Sequence, residues 1–235
     1  MKISIIIPTY NEADGIQELL RYLKKHADST VAEMLVVDGQ STDVTIEKVK
    51  ATGCNYVISP EKGRGAQMNI GADRTTGDIL YFIHADSFPP KSFASDILKA
   101  VNKRAQSGCY RTAFDSDSWL LKINAWFTRF DRLMYRGGDQ TLFITREVFE
   151  AMDGFKNYAI MEDFEMIQRL RKRDTFQIIP KSTVVSARKY EQNSYLKINF
   201  INLIIFWMFV LGVSQETMVH AYQQLITGTK FGNRE

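Results

Sequence analysis

The run "ILYFIHADSFPP", residues 79–90, is apolar or aromatic from Ile79 to Ile83 and then turns abruptly into His84-Ala85-Asp86. A strand-like run that ends in an imidazole and a carboxylate presents groups able to bind a cation, a phosphate or a hydroxyl. Comparable polar clusters follow the other apolar runs. They are Pro8-Thr9-Tyr10-Asn11-Glu12, then Asp38-Gly39-Gln40-Ser41-Thr42-Asp43, then Glu61-Lys62-Gly63-Arg64-Gly65 leading to Asn69 and Gly71. Farther along stand Gly137-Gly138-Asp139-Gln140 and, opening a helical pattern, Glu162-Asp163. Each cluster has an ordinary structural explanation. Asp38-Gly39 suits a turn, Thr42 a helix cap and Pro89-Pro90 a helix start, and acids in a first helical turn complement its dipole. Neighbours on a helix diverge by about 100°, so Glu162 and Asp163 are not expected to serve one proton together.

The elements that must carry these residues alternate. Residues 3–7, 33–38 and 78–83 read as strands, with 56–58 a weaker one, while Ile16, Leu19, Leu20 and Leu23, then Ile46 and Val49 after a Ser41-Thr42 cap, recur at helical spacing. Such alternation predicts an α/β fold with a mostly parallel sheet covered on both faces. In an open sheet of this kind ligands bind beyond the carboxyl ends of the strands, where the polar clusters fall. From about residue 105 the pattern changes. A strand is expected at 108–114, then a long amphipathic helix with Trp119, Ile123, Trp126, Phe127, Phe130 and Leu133 on its apolar face. A Thr145-capped helix should end near Gly154, a helix should cover 162–173, with "RLRKR" on its solvated side, and short strands should lie at 176–179 and 183–186. No Gly/Ser/Pro-rich linker or repeat interrupts the chain. One catalytic unit over 1–190, with halves 1–104 and 105–190 and a helical extension at 191–235, is the expected organisation.

The 235 residues are 45% hydrophobic and 24% charged, the profile of an ordinary globular protein. A net charge of +3, from 30 basic and 27 acidic residues, argues against a nucleic-acid partner and suits small anionic ligands. Cys54 and Cys109 are isolated thiols without metal-site spacing, which implies a reducing compartment. The apolar start, Ile3 to Ile7 before Pro8, is too short for a signal peptide's core, so a cytoplasmic location is expected. The stretch "FINLIIFWMFVLGV", 200–213, falls short of the about 20 residues that span a bilayer. It reads as a buried or partner-facing helix, a homodimer contact included. Alternatively it lies in a membrane interface with Trp207 and the phenylalanines inserted and Lys189 and Lys197 near the headgroups.

The segments "IIIPTYNE", "VVDGQSTD", "KGRGAQMNIGA", "FIHAD", "GGDQ" and "MEDFEMIQRL" occur in an order that resembles the inverting glycosyltransferases of family 2. They are most similar to a small bacterial branch with His-Ala-Asp where most members carry Asp-X-Asp. The resemblance covers residue 3 to about 190. It implies the GT-A type three-layer sandwich with a mostly parallel central sheet, followed here by C-terminal helices. It further implies a nucleotide-sugar donor, with uridine diphosphate the expected carrier. Thr9, Glu12 and Asp38 would hold base and ribose, with Pro8 and Asn69 among the donor-binding positions, and Arg64 and Arg188 would meet the diphosphate. By the same resemblance Asp86 would bind a divalent cation, Mg²⁺ or Mn²⁺. His84 would contact ribose or phosphate or join the metal, which leaves metal dependence open. Asp163 would be the base that takes the acceptor's proton, Glu162 would orient it or bind acceptor, and Gly138, Asp139 and Gln140 would line the acceptor and sugar. The acceptor is expected to be a lipid or a small molecule.

Other readings are weaker. The phosphatase superfamily nicknamed after the letters HAD needs a nucleophilic Asp-X-Asp after the first strand, where this chain has Pro8-Thr9-Tyr10. The Gly-X-Gly-X-X-Gly of nicotinamide enzymes is missing there too. A nucleotidyltransferase would need a glycine-rich N-terminal loop with a following basic pair. The competing hypothesis from a different class is a catalytically silent nucleotide-binding or scaffolding module with a partner-binding C-terminal helix.

Overall fold

In the computed structural model, which describes residues 1–137, 140–188, 190 and 194–225, the first apolar runs form β1 (Ile3–Thr9) and β2 (Val31–Asp38). Helix α1 (Ile16–His26) joins them, its buried stripe of Ile16, Leu19, Leu20 and Leu23 lying on the sheet. Helix α2 (Thr45–Ala51) then leads to β3 (Asn55–Ile58), and α3 (Arg64–Asp73) to β4 (Ile79–Phe82). Each helical return makes the next strand parallel, with Thr9 opposite Asp38 and Asp38 opposite Ile58. The expected Ser41-Thr42 cap is corrected. Asp43 Oδ1 instead accepts Thr45 N–H at 3.0 Å, because Ser41 and Thr42 are drawn to Asp38 and Asn11.

The rest of the chain supplies β5 (Ser87–Phe88), α4 (Phe93–Asn102), β6 (Ser107–Phe114), α5 (Trp119–Phe127), β7 (Leu142–Thr145), α6 (Arg146–Ala151), α7 (Glu162–Arg171), β8 (Phe176–Val185), α8 (Tyr195–Val210) and α9 (Gln215–Leu225). The strands form one eight-stranded sheet in the order β3-β2-β1-β4-β7-β6-β8-β5. Strand β7 runs antiparallel between β4 and β6, while β6 and β8 are parallel. The two short strands expected at 176–179 and 183–186 are one strand. Its register slips between Tyr110 opposite Ile179 and Arg111 opposite Ser182, where Pro180 has no N–H to give the ladder.

Alternation along the strands makes the layers. Ile3, Ile5, Ile7, Tyr81 and Ile83 pack with α1 and α4 on one face; Ile6, Leu80 and Phe82 pack with Met68, Phe149, Met166 and Leu170 on the other. Cys54 and Cys109 are free and buried, and burial pushes the Cys109 thiol up to about 11. The "RLRKR" segment is less solvated than expected. Arg169 donates to Met152 O at 2.6 Å and to Gly154 O at 2.8 Å, and Arg171 pairs with Asp131 at 3.0 Å.

Two departures concern the apolar helices. The helix expected to run from Trp119 to Leu133 stops at Phe127, where the buried Arg136 guanidinium donates to the carbonyls of Thr128 and Phe130. Within the observed helix only Leu121 is buried, while Trp119, Ile123, Trp126 and Phe127, and Phe130 just beyond it, are exposed. Helix α8 buries Ile198, Ile201 and Ile205, the last two beside Ile160 and Met218 of α9, and leaves its other side uncovered. No helix among the described residues is long and apolar enough to cross a membrane.

Close packing of α3 on β1 brings its first residue, Arg64, to the carboxyl end of the sheet. Gly71 makes this approach possible, since a Cβ there would lie 2.3 Å from Ile6 Cγ2. Gly71→Ala should therefore lower stability by about 1–3 kcal/mol, read as a lower urea midpoint.

Candidate active site

The loops after β1 and β2 are stitched together by short polar side chains. Asn11 N–H donates to Ser41 Oγ at 2.8 Å, Thr42 N–H donates to Asn11 Oδ1 at 2.8 Å, and Glu12 N–H donates to Thr45 Oγ1 at 2.9 Å. Beneath them the buried Gln67 side chain donates to Thr9 O at 2.8 Å and Val37 O at 2.7 Å, tying the two strand ends to α3. Three expected donor-binding residues belong to this floor. Pro8 is buried in β1, and Thr9 Oγ1 donates to Ile7 O at 3.2 Å. Asp38 is buried, its oxygens accepting Ser41 N–H at 2.8 Å and Ser41 O–H at 2.5 Å. A carboxylate has about four lone-pair positions, so Asp38 retains acceptor capacity toward a ligand.

Arg64 and the acidic pair face one another across this floor. Gly63 precedes α3 with φ 115, a backbone conformation that suits glycine, and Arg64 opens the helix. Its Nε lies 2.7 Å from Glu162 Oε1, with the Arg64 side chain 49% exposed and that of Glu162 only 1%. The contact is electrostatic rather than directional, since neither Glu162 oxygen has a hydrogen-bond partner among the described residues. Burial pushes the Glu162 carboxyl up; Arg64 opposes that shift and Asp163 adds to it. Met161, in the left-handed region at φ 66, turns the chain into α7 so that Glu162 and Asp163 both arrive buried.

At the end of β4, His84 Nε2 lies 3.7 Å from Asp163 Oδ2, both side chains nearly buried. Asp86 is two residues farther on and partly exposed, and its carbonyl accepts Ser186 N–H at 3.3 Å from the segment after β8. From that segment Arg188 Nη2 reaches Glu12 Oε2 at 3.4 Å. The structure thus brings Arg64, Glu162, Asp163, His84 and Asp86 to one sheet edge, with Glu12 and Arg188 paired beside it.

Two expected site residues are engaged by the protein itself. Asn69 Nδ2 donates to Phe155 O at 2.8 Å and its Oδ1 accepts Phe155 N–H at 2.8 Å, so it clamps α3 to the loop before α7. Gln140 is buried, donating to Tyr135 O at 2.6 Å and accepting from the Cys109 thiol at 3.4 Å. In each case a complementary main-chain or core partner takes both ends of the amide. Gly138 and Asp139 lie outside the described residues. Gln67 was missed by the sequence reading, although it lies inside "KGRGAQMNIGA"; nothing local distinguishes a buried glutamine from an exposed one on a helix.

No cluster of three or more His, Cys, Asp or Glu suited to a metal occurs among the described residues. The donor set at the β4 end is one carboxylate, Asp86, with an imidazole directed toward Asp163. That set fits a hard cation such as Mg²⁺, which commonly takes one or two carboxylates and completes its shell with phosphate oxygens and water.

Comparison with known proteins follows the same outline. The family model described as glycosyl transferase family 2 matches residues 4–164. The chain is similar to dolichol-phosphate mannosyltransferase of Pyrococcus furiosus, 30% identical over 106 residues, a match covering 43% of this chain and only 30% of that protein's length. Among solved structures, glucosyl-3-phosphoglycerate synthase of Mycobacterium tuberculosis with Mn²⁺, uridine diphosphate and glucosyl-3-phosphoglycerate superposes with a TM-score of 0.65. The superposition spans 91% of this chain and 81% of that one at 16% identity. TarS 1–349 of Staphylococcus aureus in complex with UDP-GlcNAc gives 0.64 over 96% and 71%, at 19% identity. Likenesses at these identities establish the shared GT-A type fold.

The clamp formed by Asn69 has a direct check. Asn69→Ala leaves the Phe155 main chain without its partners and should destabilise by about 1–3 kcal/mol. In the folded variant, nucleotide affinity measured by calorimetry should be unchanged.

Proposed function

The chain belongs to glycosyl transferase family 2, and from that premise we propose that it moves a sugar from a nucleotide-sugar donor, with uridine diphosphate as carrier, to an acceptor hydroxyl with inversion. Within the family we place it among members with His-Ala-Asp where most carry Asp-X-Asp. The observation that carries the reading is the 3.7 Å approach of His84 to Asp163, with Asp86 on the same strand end. It puts a carboxylate suited to a base and one suited to a phosphate-bound cation on one sheet edge. A silent module has no need of that pairing.

The chemistry is a single displacement. The acceptor oxygen attacks the anomeric carbon from the face opposite the leaving group, and its proton passes to Asp163. The carbon–oxygen bond to the nucleoside diphosphate breaks, and the leaving group keeps the electron pair. His84, 3.7 Å away, faces the Asp163 carboxylate from the end of β4. Glu162, next in sequence and buried against Arg64, fixes the first turn of α7 from which Asp163 projects. Arg64 stands at the N-terminus of α3, where backbone N–H groups favour an anion, and receives the diphosphate with Arg188. Asp86 would hold Mg²⁺ or Mn²⁺ together with phosphate oxygens, and that charge would stabilise the departing diphosphate. Acceptors of this reaction are a lipid or a small molecule bearing a hydroxyl.

Removing the base tests the proposal. Asp163→Asn should lower kcat by about 10²–10⁴-fold while donor affinity is kept; an unchanged rate would sink the assignment, and nucleotide binding without turnover on any acceptor would favour the silent module. A thermal-shift series tests the cation. Uridine diphosphate with Mn²⁺ should raise Tm more than uridine diphosphate alone, and Asp86→Ala should erase that increment. Equal shifts with and without Mn²⁺ would leave Asp86 without the role given to it.

A further inference from the structure

Helices α5 and α8 lie side by side, joined by Asn124 Nδ2 donating to Asn199 Oδ1 at 2.9 Å and by the Tyr195 hydroxyl donating to Asn124 Oδ1 at 2.7 Å. Outward from α8 point Leu196, Phe200, Leu203, Trp207 and Val210, alternately four and three residues apart and therefore on one face. From α5 point Trp119, Ile123, Trp126 and Phe127. Leu196 is 72% exposed, Trp119 67%, Phe200 64% and Trp207 53%. The three tryptophans of the chain all lie on these helices. An apolar surface concentrated like this marks an interaction site rather than the scattered exposure usual on a protein.

What covers it is indicated by its charged margin. A groove of about 350 Å³ runs between α5 and β6, lined by Arg111, Ser116, Lys122, Trp126, Arg129 and Ser182. Arg111 Nε is buried there with no hydrogen-bond partner among the described residues. The Arg129 guanidinium lies 4.7 Å over the Trp126 ring, with Nε donating to Trp126 O at 2.9 Å. Lys122 lies 3.2 Å from Asp117, both exposed, and Lys197 adds an exposed cation on α8. Neither α5 nor α8 contains an Asp or Glu. Aromatic side chains bordered by cations match the boundary between acyl chains and anionic headgroups. A second copy fits less well, because a two-fold contact would turn the same cations toward one another.

We propose that this face seats on an anionic phospholipid surface, the α5 and α8 aromatics entering the headgroup–acyl boundary while Arg111 and Arg129 take a lipid phosphate. The chain lies on the bilayer and does not cross it. None of these residues belongs to the site described above, so the contact stands whether or not the transfer reading does.

The test is co-sedimentation of the full chain with vesicles of phosphatidylcholine alone or mixed with phosphatidylglycerol, alongside tryptophan fluorescence. Binding to the mixed vesicles, a blue shift of the emission and weakening by salt are expected. Trp207→Ser with Phe200→Ser, and separately Arg111→Gln with Arg129→Gln, should each weaken binding on the order of tenfold or more, with melting curves confirming that the variants fold. Equal binding by the wild type and both folded variants would overturn the proposal. So would light scattering that shows a dimer formed through this face without vesicle binding. Quenching by inorganic phosphate with no vesicle binding would reassign the groove to a soluble anion and overturn it as well.

Discussion

A carboxyl group shut away from water opposite a half-exposed arginine is the constraint around which the site is arranged. Glu162 is almost wholly buried and Arg64 stands 2.7 Å away, so separating the first turns of α7 and α3 would strip a buried carboxyl of its cation and push it further towards its neutral form. The penalty for that is several kcal/mol in proteins generally, more than a surface ion pair returns. One residue on, Asp163 meets His84 and ties the same turn of α7 to the end of β4. Two adjacent acids on one helix point in different directions, and one finds the first residue of α3 while the other finds the end of β4. The divergence that prevents them from sharing a proton lets them fasten three elements together.

The rest of the cleft is stiffened by smaller contacts of the same kind. Asn11, Ser41, Thr42 and Asp43 link the first two loops, Gln67 holds the carbonyls of Thr9 and Val37, and Asn69 holds Phe155. These amides satisfy backbone groups that the ends of strands and helices leave unpaired. Met161 sustains a left-handed conformation at the start of α7, its side chain packed against the cluster of Ile160, Ile201, Ile205 and Met218. Strain at such a position persists only when its surroundings impose it. At the margin of this floor Glu12 meets Arg188 at 3.4 Å, joining the loop after β1 to the segment after β8.

Two surfaces of different character result. The sheet edge concentrates ionisable groups under low solvent exposure, while α5 and α8 present large apolar side chains beside cations. The apolar surface lies wholly on segments that follow the parallel half of the sheet, whereas the sheet edge draws on both halves, with Glu162 and Asp163 of α7 coming from the second. The first hundred residues supply the floor and Arg64, His84 and Asp86.

Much of this was legible in the residues. Near-continuous apolar strands with helical returns require a parallel sheet, and the side chains just after such strands must gather at its carboxyl edge; His84, Asp86 and Arg64 did so, and Glu162-Asp163, which open α7 rather than follow a strand, meet them there. Tertiary structure alone decided what each polar or apolar group would meet. Asn69 and Gln140 carry ligand-like amides; Phe155, 86 residues on, engages both ends of the first, while Cys109 and the nearby Tyr135 engage the second. The face of Trp119, Ile123 and Trp126 is visible as a periodicity, yet period tells which residues share a side and not whether anything packs against it. Burial is a property of pairs of surfaces, and a sequence specifies only one of the two until the chain has folded.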